Sequence, residues 1–493
     1  MEDESALAPK RVAVPGRVLW VVLAIWMVAL GFRVAYITQI NPDQPLTGDG
    51  GYYHALGNSL PKEGFRRAFE FSMVTEETAA HPPGYPVLLS LGSRIGLTTP
   101  DDHRMLTALV GSLAVPLLAL SAARLAGRRR RGPPPSARMV GWAAIGAAVI
   151  ATVNVNMWSW DALILAEPLV MTATSLWLYA LLVYDDRPGP GAVLTAGLAL
   201  GVAAATRSEL ILAGVVILVL LWRHRSLPWQ RLALHSAAFG AGALMVLGPW
   251  LWSNMHRFEE PVLMTTGVGT TMLQGNCDSA FYGPLTGYSD YSCFDRSRSL
   301  MNLDMDASER DLVARNIAGD YIQTHRARLP VVAAARIART FGFFRPVQQS
   351  FFIEVLELRG PHWVVWGGLI SWQLLLPLGI AGVVLARREG QLIAPVILVA
   401  GSVVAAVSLT QGADRYRMAL EPLMIAYAGL AAARCLAVVG RSTPAMADTG
   451  LGRWLRRWSP TPEPPVVEPL DSEPLDSEVP LDATPTSEMV GTA

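Results

Sequence analysis

A succession of apolar runs constrains this chain more than any other feature. They fall at 18–37, 105–123, 139–157, 162–183, 192–206, 210–222, 232–252, 364–386, 391–410 and 418–439. A helix crosses a bilayer in about 20 residues, so most of these runs are of spanning length. Only 16% of the 493 residues are charged and 52% are hydrophobic, whereas soluble domains carry about 25% charged residues. The chain is therefore expected to be all-α and polytopic, with about ten transmembrane helices and interfacial helices in its outer loops. The first run has no small-residue cleavage site after it and reads as a retained helix.

The basic residues set the orientation. Lysine and arginine are enriched in loops on the cytoplasmic side. Lys10, Arg11 and Arg17 precede the first run, and further basic segments lie at 128–131, 223–225, 387–388 and 453–457. All of these can be cytoplasmic only if one of the two runs between 84 and 123 fails to cross. The run 84–97 is short and carries Arg94, so it reads as interfacial or re-entrant, while 105–123 crosses. Both termini are then cytoplasmic, and the long outer loops are 38–104 and 253–361. Residues 1–17 form a cytoplasmic N-terminus and 18–440 the membrane domain. Residues 441–493 form a cytoplasmic tail that repeats Glu-Pro-Leu-Asp-Ser and is acidic and proline-rich, a composition that cannot bury a core. The formal net charge of zero excludes nucleic acid as an expected partner.

With this topology the unusual polar residues collect on the outer side. They are Asp49, His54 and His81, then Asn154, Asn156, Trp158, Trp160, Asp161 and Glu167. Arg207 and Glu209 follow, and then Asp414, Arg415, Arg417 and Glu421. Ionisable residues at or inside spans normally face a cavity or site. Glu167 is placed six residues into its span, ~9 Å deep at the helical rise, and its neighbour Pro168 leaves open a simple helix start. Arginine forks match phosphate oxygens, so Arg207, Arg415 and Arg417 are candidates for a phosphate whose lipid tail stays in the bilayer. The glycines around Asp49 would let a substrate approach its backbone. No ligand spacing sets His81 up as a metal ligand with Asp49 or Glu167; no cofactor is expected, and a divalent metal there stays an open alternative.

In the loop 253–361, Cys277 and Cys293 face an oxidising compartment by this topology, which favours a disulfide. The run 329–344 interleaves Arg336, Arg339 and Arg345 with apolar residues and reads as an amphipathic interfacial helix. Cys435 lies in the last apolar run and reads as packing.

Four short motifs in order, Asp49 with Tyr52 and Tyr53, His81-Pro82-Pro83, Glu167-Pro168 and Arg415-Tyr416, resemble those of the C-type membrane glycosyltransferases of family 39. That group includes protein O-mannosyltransferases and aminoarabinose transferases acting on lipid A. The resemblance covers about residues 17–440. It implies a polyprenyl-phosphate-linked sugar donor and inverting transfer of the sugar to an acceptor lipid, glycan or protein at the outer face of the cell membrane. It departs from the family's pattern at His81, where lysine is more usual. In that reading Asp49 is the base, Glu167 the supporting carboxylate, Arg207, Arg415 and Arg417 bind the donor phosphate, and Tyr52, Tyr53, His81 and Tyr416 contact substrate. The rival class is a transporter or flippase of a lipid-linked substrate. Such proteins often carry internal repeats, and none is evident between the two halves of this chain.

Overall fold

The computed structural model describes residues 12–46, 48–68, 75–128, 135–297 and 304–442. The basic residues at 10–11, 129–131 and 453–457 and the acidic tail lie outside the described residues. Helix α1 (Gly16–Ala35) runs on into a π-helical turn, Tyr36–Ile40, and is followed by α2 (Gly48–Glu63). A short antiparallel ribbon, β1 (Arg66–Ala68) with β2 (Thr75–Glu77), pairs Arg67 with Glu76. Then come α3 (Gly84–Arg94), α4 (Pro100–Ser112), α5 (Ala114–Gly127), α6 (Ala137–Val153), α7 (Glu167–Asp186), α8 (Pro190–Thr206), α9 (Val216–Arg223) and α10 (Trp229–Arg257). The segment up to the next long helix holds α11 (Val268–Gly275), α12 (Asp278–Phe281), α13 (Tyr291–Ser297), α14 (Ala307–Thr324), α15 (Leu329–Thr340) and α16 (Pro346–Val355). The chain closes with α17 (His362–Arg388), α18 (Ala394–Leu409), a 3-10 turn at Asp414–Ala419, and α19 (Glu421–Ser442).

Local chemistry sets many of these boundaries. Proline lies in the first turn of α4, α7, α8, α15, α16 and α18, where its missing N–H costs nothing. Thr99 and Asp102 form a capping box at the start of α4, as Asp306 and Glu309 do for α14.

Among the described residues, six helical spans are long and apolar enough to cross a membrane: Gly16–Ile40, Pro100–Gly127, Glu167–Asp186, Trp229–Arg257, His362–Arg388 and Glu421–Val438; the bent pair Ala137–Val153 and Val155–Leu163 makes a seventh if it counts as one span. α8 and α18 are apolar but shorter, and the run at 210–222 enters α9 through a 3-10 stretch, Ser208–Val215. Each expected span is met by a helical segment, but not each by a full-length one. α7 and α19 are mostly buried at the centre, whereas α1, α10 and α17 turn Trp20, Met245 and Leu374 outward. Large apolar side chains on that outer surface would be a liability in water and are suited to lipid. Small residues let the helices close up: a β-carbon at Gly197 of α8 would lie 2.1 Å from the Phe239 carbonyl oxygen of α10.

Two sequence expectations are corrected here. The runs 139–157 and 162–183 do not extend as helices to those limits. α6 stops at Val153, the chain bends by 78° into 3-10 turns, and Ile164 takes a left-handed conformation (φ 53°) before α7 starts. Glu167 is therefore the first residue of α7 instead of lying six residues inside it, because Pro168 is accommodated only in the first turn. The second correction concerns α15. Arg336 and Arg339 are fully buried in protein and do not face a headgroup layer. Arg336 donates to the carbonyls of Ser408 and Gly275, and Arg339 to that of Thr286.

Ion pairs gather at both ends of α7, ~30 Å apart at the helical rise. At its C-terminal end Asp185 and Asp186 take Arg124 and Arg128 of the α5 end and Arg223 of the α9 end. Glu389, just after α17, pairs with Arg434 of α19 at 2.7 Å. Arg128, Asp185, Asp186 and Arg223, all expected to be cytoplasmic, thus share one end of the bundle. Cys277 and Cys293 are joined as a disulfide near α13. Non-reducing peptide mapping of protein from native membranes should recover these two joined and Cys435 free. Replacing both by serine should destabilise the segment by about 3 kcal/mol in the chain-entropy model, read as a lower unfolding temperature.

Candidate functional site

At the other end of α7 the polar residues converge. Gly48 adopts a left-handed conformation (φ 48°) and Asp49 follows in the first turn of α2, where the helix dipole favours a carboxylate. A β-carbon at Gly50 would lie 2.5 Å from the Leu163 carbonyl oxygen. The glycine thus admits the chain's own 3-10 turn rather than a substrate, pressing α2 against the approach to α7 and setting Asp49 near Glu167.

Arg415 ties the two carboxylates together. Its Nη1 donates to Asp49 Oδ2 at 3.0 Å and its Nε to Glu167 Oε1 at 2.9 Å. Arg207, at the C-terminal cap of α8, lies 3.3 Å from the same Glu167 oxygen and donates from Nε to Glu209 at 2.8 Å. Its guanidinium stacks on the Tyr416 ring at 4.6 Å. On the other side His81 Nε2 sits 3.4 Å from Asp49 Oδ1, with the rings of Tyr52 and Tyr53 each 5.0 Å from the imidazole. Tyr52 and Thr78 share a hydroxyl–hydroxyl hydrogen bond of 3.1 Å.

Accessibility is graded across this cluster. The side chains of Asp49 and Arg415 are 33% and 25% exposed, while Glu167 is wholly buried behind them. Glu167 Oε2 has no hydrogen-bond partner. Burial pushes the Asp49 carboxyl up, but the charges and hydrogen bonds of His81 and Arg415 outweigh it and hold the group well below the usual carboxylate range.

Of the candidates for catalysis and donor-phosphate binding, Arg417 is the one held elsewhere. It is 2% exposed, donates from Nε to Glu421 at 2.7 Å and from Nη1 to the Thr340 carbonyl at 2.9 Å. Those contacts belong to a second, deeper network. Arg359 donates to Asp414 at 2.9 Å and to Ser159 and Asn156, and lies 4.0 Å over the Trp160 ring. Asn156 in turn donates to Glu421 at 3.0 Å. Arg33 of α1 closes a third contact, donating to Asp161 at 2.6 Å and to the Met157 carbonyl. Asn156, Trp160 and Asp161 thus brace the bend between α6 and α7, which fixes where Glu167 and Arg415 stand.

Sequence reading did not find Arg33 or Arg359. Arg33 carried a usable signal, an arginine inside an apolar run. Arg359 stands just before Gly360-Pro361 and a long span, and nothing local marks its partners at Asn156 and Asp414.

Among the described residues no group of three His, Cys, Asp or Glu side chains could hold a metal ion. Asp49 and His81 offer two ligands that face each other and Arg415, so the residues do not fit a metal centre and no step is derived through one.

The fold and site define an α-helical multi-pass membrane protein with an ionisable, partly open site at one end of its bundle. No family model matches the chain, and no curated protein matches it. Among solved structures it is similar to the S. cerevisiae protein O-mannosyltransferase Pmt1-Pmt2 complex bound to the sugar donor, at 17% identity and a TM-score of 0.40, over 55% of this chain. It spans 38% of the length of that mannosyltransferase chain. It is also similar to ArnT from Cupriavidus metallidurans bound to undecaprenyl phosphate, at 15% identity and a TM-score of 0.38, covering 86% of this chain and 78% of that one. The chemistry of the site is carried by its own residues.

Arg359→Leu removes the cation from buried Asp414 and should cost about 3–5 kcal/mol, as breaking one side of a buried pair does. Thermal unfolding in detergent checks it, and Arg417→Leu should behave alike by stranding Glu421.

Proposed function

We propose that this protein transfers a sugar, with inversion, from a polyprenyl-phosphate-linked donor to an acceptor at the outer face of the cell membrane. The observation that carries this reading is Arg415 bridging Asp49 and Glu167 from the accessible side of the site. The motifs at 49–53, 81–83, 167–168 and 415–416 all contribute to that one cluster, although the last lies more than two hundred residues beyond the others.

The chemistry follows from the charges. The acceptor hydroxyl attacks the anomeric carbon from the face opposite the phosphate. A new carbon–oxygen bond forms there as the bond to phosphate breaks, and the electron pair leaves on the phosphate oxygen. Arg415 and Arg207 supply N–H donors where that charge grows. Glu167, buried behind both, holds their guanidinium groups in place. Asp49 takes the acceptor proton. With Arg415 and His81 on it, Asp49 holds a proton poorly. Once Arg415 turns to the phosphate that depression is relieved, and the carboxylate becomes a better base. Tyr52, His81 and Tyr416 are partly exposed and are assigned to substrate contact, whereas Tyr53, expected from the sequence to join them, is 3% exposed and packs against His81 and Tyr85. The acceptor is a lipid, a glycan or a protein.

The test is turnover of polyprenyl-phosphate sugars by purified protein in detergent, with hydrolysis or transfer as the readout. Movement of the lipid-linked sugar across a liposome bilayer without turnover would instead make the protein a translocator. Asp49→Asn should leave expression and size intact and lower transfer by ~10²-fold or more, as expected for loss of a general base. Near-parental turnover in the folded variant would remove Asp49 from that role.

Arg415→Ala should sharply weaken use of the donor, and Arg415→Lys should restore only part of it because lysine has no fork. Donor KM and kcat for both variants measure this. Parental values in both would make Arg415 a structural brace.

A further inference from the structure

Helix α16 is turned inside out. Its Gln349 and Ser350 are buried against the protein, while Phe343 just before it, Val347, Phe351 and Val355 are between 49% and 64% exposed. These four recur at every fourth position and so share one face of the helix. A helix bordering water buries its apolar face and exposes its polar one. The stripe therefore borders an apolar medium.

Its depth identifies that medium. The turn leading into α16 is hydrogen-bonded to the middle of α17: Trp372 Nε1 donates to the Phe341 carbonyl at 2.8 Å and Gln373 Nε2 to the Gly342 carbonyl at 3.1 Å. Gln373 lies ~22 Å from the Arg388 end of α17 at the helical rise, inside a hydrocarbon core about 30 Å thick. At the far end of α16, Glu354 meets His362, the first residue of α17, at 2.8 Å. Helix α16 thus lies along the half of α17 nearest the candidate site, with its stripe toward lipid.

The same segment holds an excess of cations. Arg345 caps α16 in a left-handed conformation (φ 50°) and donates from Nη1 to the Gly283 carbonyl at 3.4 Å and to that of Pro284. Arg328 donates from Nε to the Phe281 carbonyl at 3.4 Å and lies 5.3 Å from the Tyr282 ring. Arg339 holds the Thr286 carbonyl at 2.8 Å. Among the described residues the partners of these three are carbonyls, side-chain amides and aromatic rings, with no carboxylate. One of the cations stands at a helix N-terminus, whose dipole is itself positive. Arg328 and Arg345 line an open pocket of about 720 Å³ between α15 and the turn at 283–286, with Gly283, Thr286, Ala335 and Phe344 around it. Phe344 joins that pocket in sequence to Phe343 and the exposed stripe.

Cations without a counter-charge, beside an apolar face at membrane depth, match an anion that carries its own hydrocarbon. We propose that this pocket binds the phosphate of an anionic phospholipid from the leaflet on the candidate site's side, with Arg328 and Arg345 on its oxygens and its acyl chains along Phe343, Val347 and Phe351. Arginine stems extend from the core toward the headgroup layer, so both groups can meet a phosphate at the boundary. The lipid steadies the wall behind the site, since the carbonyl of Thr340, the last residue of α15, holds Arg417 at 2.9 Å. The pocket shares no residue with Arg415 or Arg207 and does not depend on sugar transfer.

The probe is dioleoylphosphatidylglycerol, with dioleoylphosphatidylcholine for comparison because it carries no net charge. Each is titrated into the full-length protein in a nonionic detergent, and bound lipids are counted by native mass spectrometry. The parent should bind one phosphatidylglycerol about tenfold or more tighter than phosphatidylcholine, as one charge-assisted contact gives. Replacing Arg328→Gln and Arg345→Gln together should lower that affinity by ~10²-fold, two such contacts being lost, and leave phosphatidylcholine unaffected. Arg345→Gln alone, at an exposed position, should lose about tenfold and covers a double variant that does not fold. Arg415→Ala should keep the parental affinity for phosphatidylglycerol. Equal affinity of the parent for the two lipids overturns the proposal. Loss of binding in Arg415→Ala with retention in the glutamine variants would place the lipid in the donor site and overturn it as well. Displacement by millimolar inorganic phosphate would make the pocket a site for free anions and overturn the assignment to lipid.

Discussion

A charge inside an apolar bundle must find a partner, and the Arg415 contacts show how much of this protein hangs on that requirement. Arg415 reaches Asp49, 366 residues away, and Glu167, 248 residues away. Leaving the wholly buried Glu167 unpaired would cost several kcal/mol. The same logic runs through the deeper layer, where Arg359, Asp414, Asn156, Arg417 and Glu421 satisfy one another. Helix ends that would otherwise be free to slide are pinned by these contacts. The bend at 154–166 exists because its polar groups are held by Arg33, Arg104 and Arg359 instead of by a continuing helix.

The two ends of α7 behave differently for the same physical reason. At its C-terminal end the aspartates meet arginines in tight pairs: Arg223 engages both oxygens of Asp185, at 2.8 and 2.9 Å. That end is closed. At the N-terminal end the cations are shared, with one Glu167 oxygen serving two arginines while its other oxygen lacks a hydrogen bond. Shared and partly exposed cations are available to an incoming anion in a way that saturated ones are not. The proposed chemistry therefore belongs to the open end.

Much of this was legible in sequence because it depends on local composition. The apolar runs, the short 84–97 segment that became α3, and the grouping of 128, 185–186 and 223 at one end follow from span length and charge. So does the set Asp49, His81, Glu167, Arg207 and Arg415, since an ionisable residue at a membrane boundary stands out by cost alone. The errors have a common origin. Arg417 and Arg415 are two residues apart and chemically identical, yet one faces the site and the other is sealed against Glu421. On α15 the interleaved arginines read as the polar face of an interfacial helix, and Arg336 and Arg339 instead cap backbone carbonyls of neighbouring segments. Sequence supplies the donors but not the acceptors they meet.

The sequence by itself determined that the chain is a helical membrane protein, which segments run apolar, and which polar residues are too costly to be incidental. Those properties follow from transfer free energies, which each residue carries with it. The tertiary structure alone decided which arginine meets which carboxylate, and that Glu167 begins its helix. Pairing is a property of distance between segments. No residue-level preference could separate Arg415 from Arg417, or give Arg359 its partners, until α7, the turn at 414–419 and the strap before α17 were packed together.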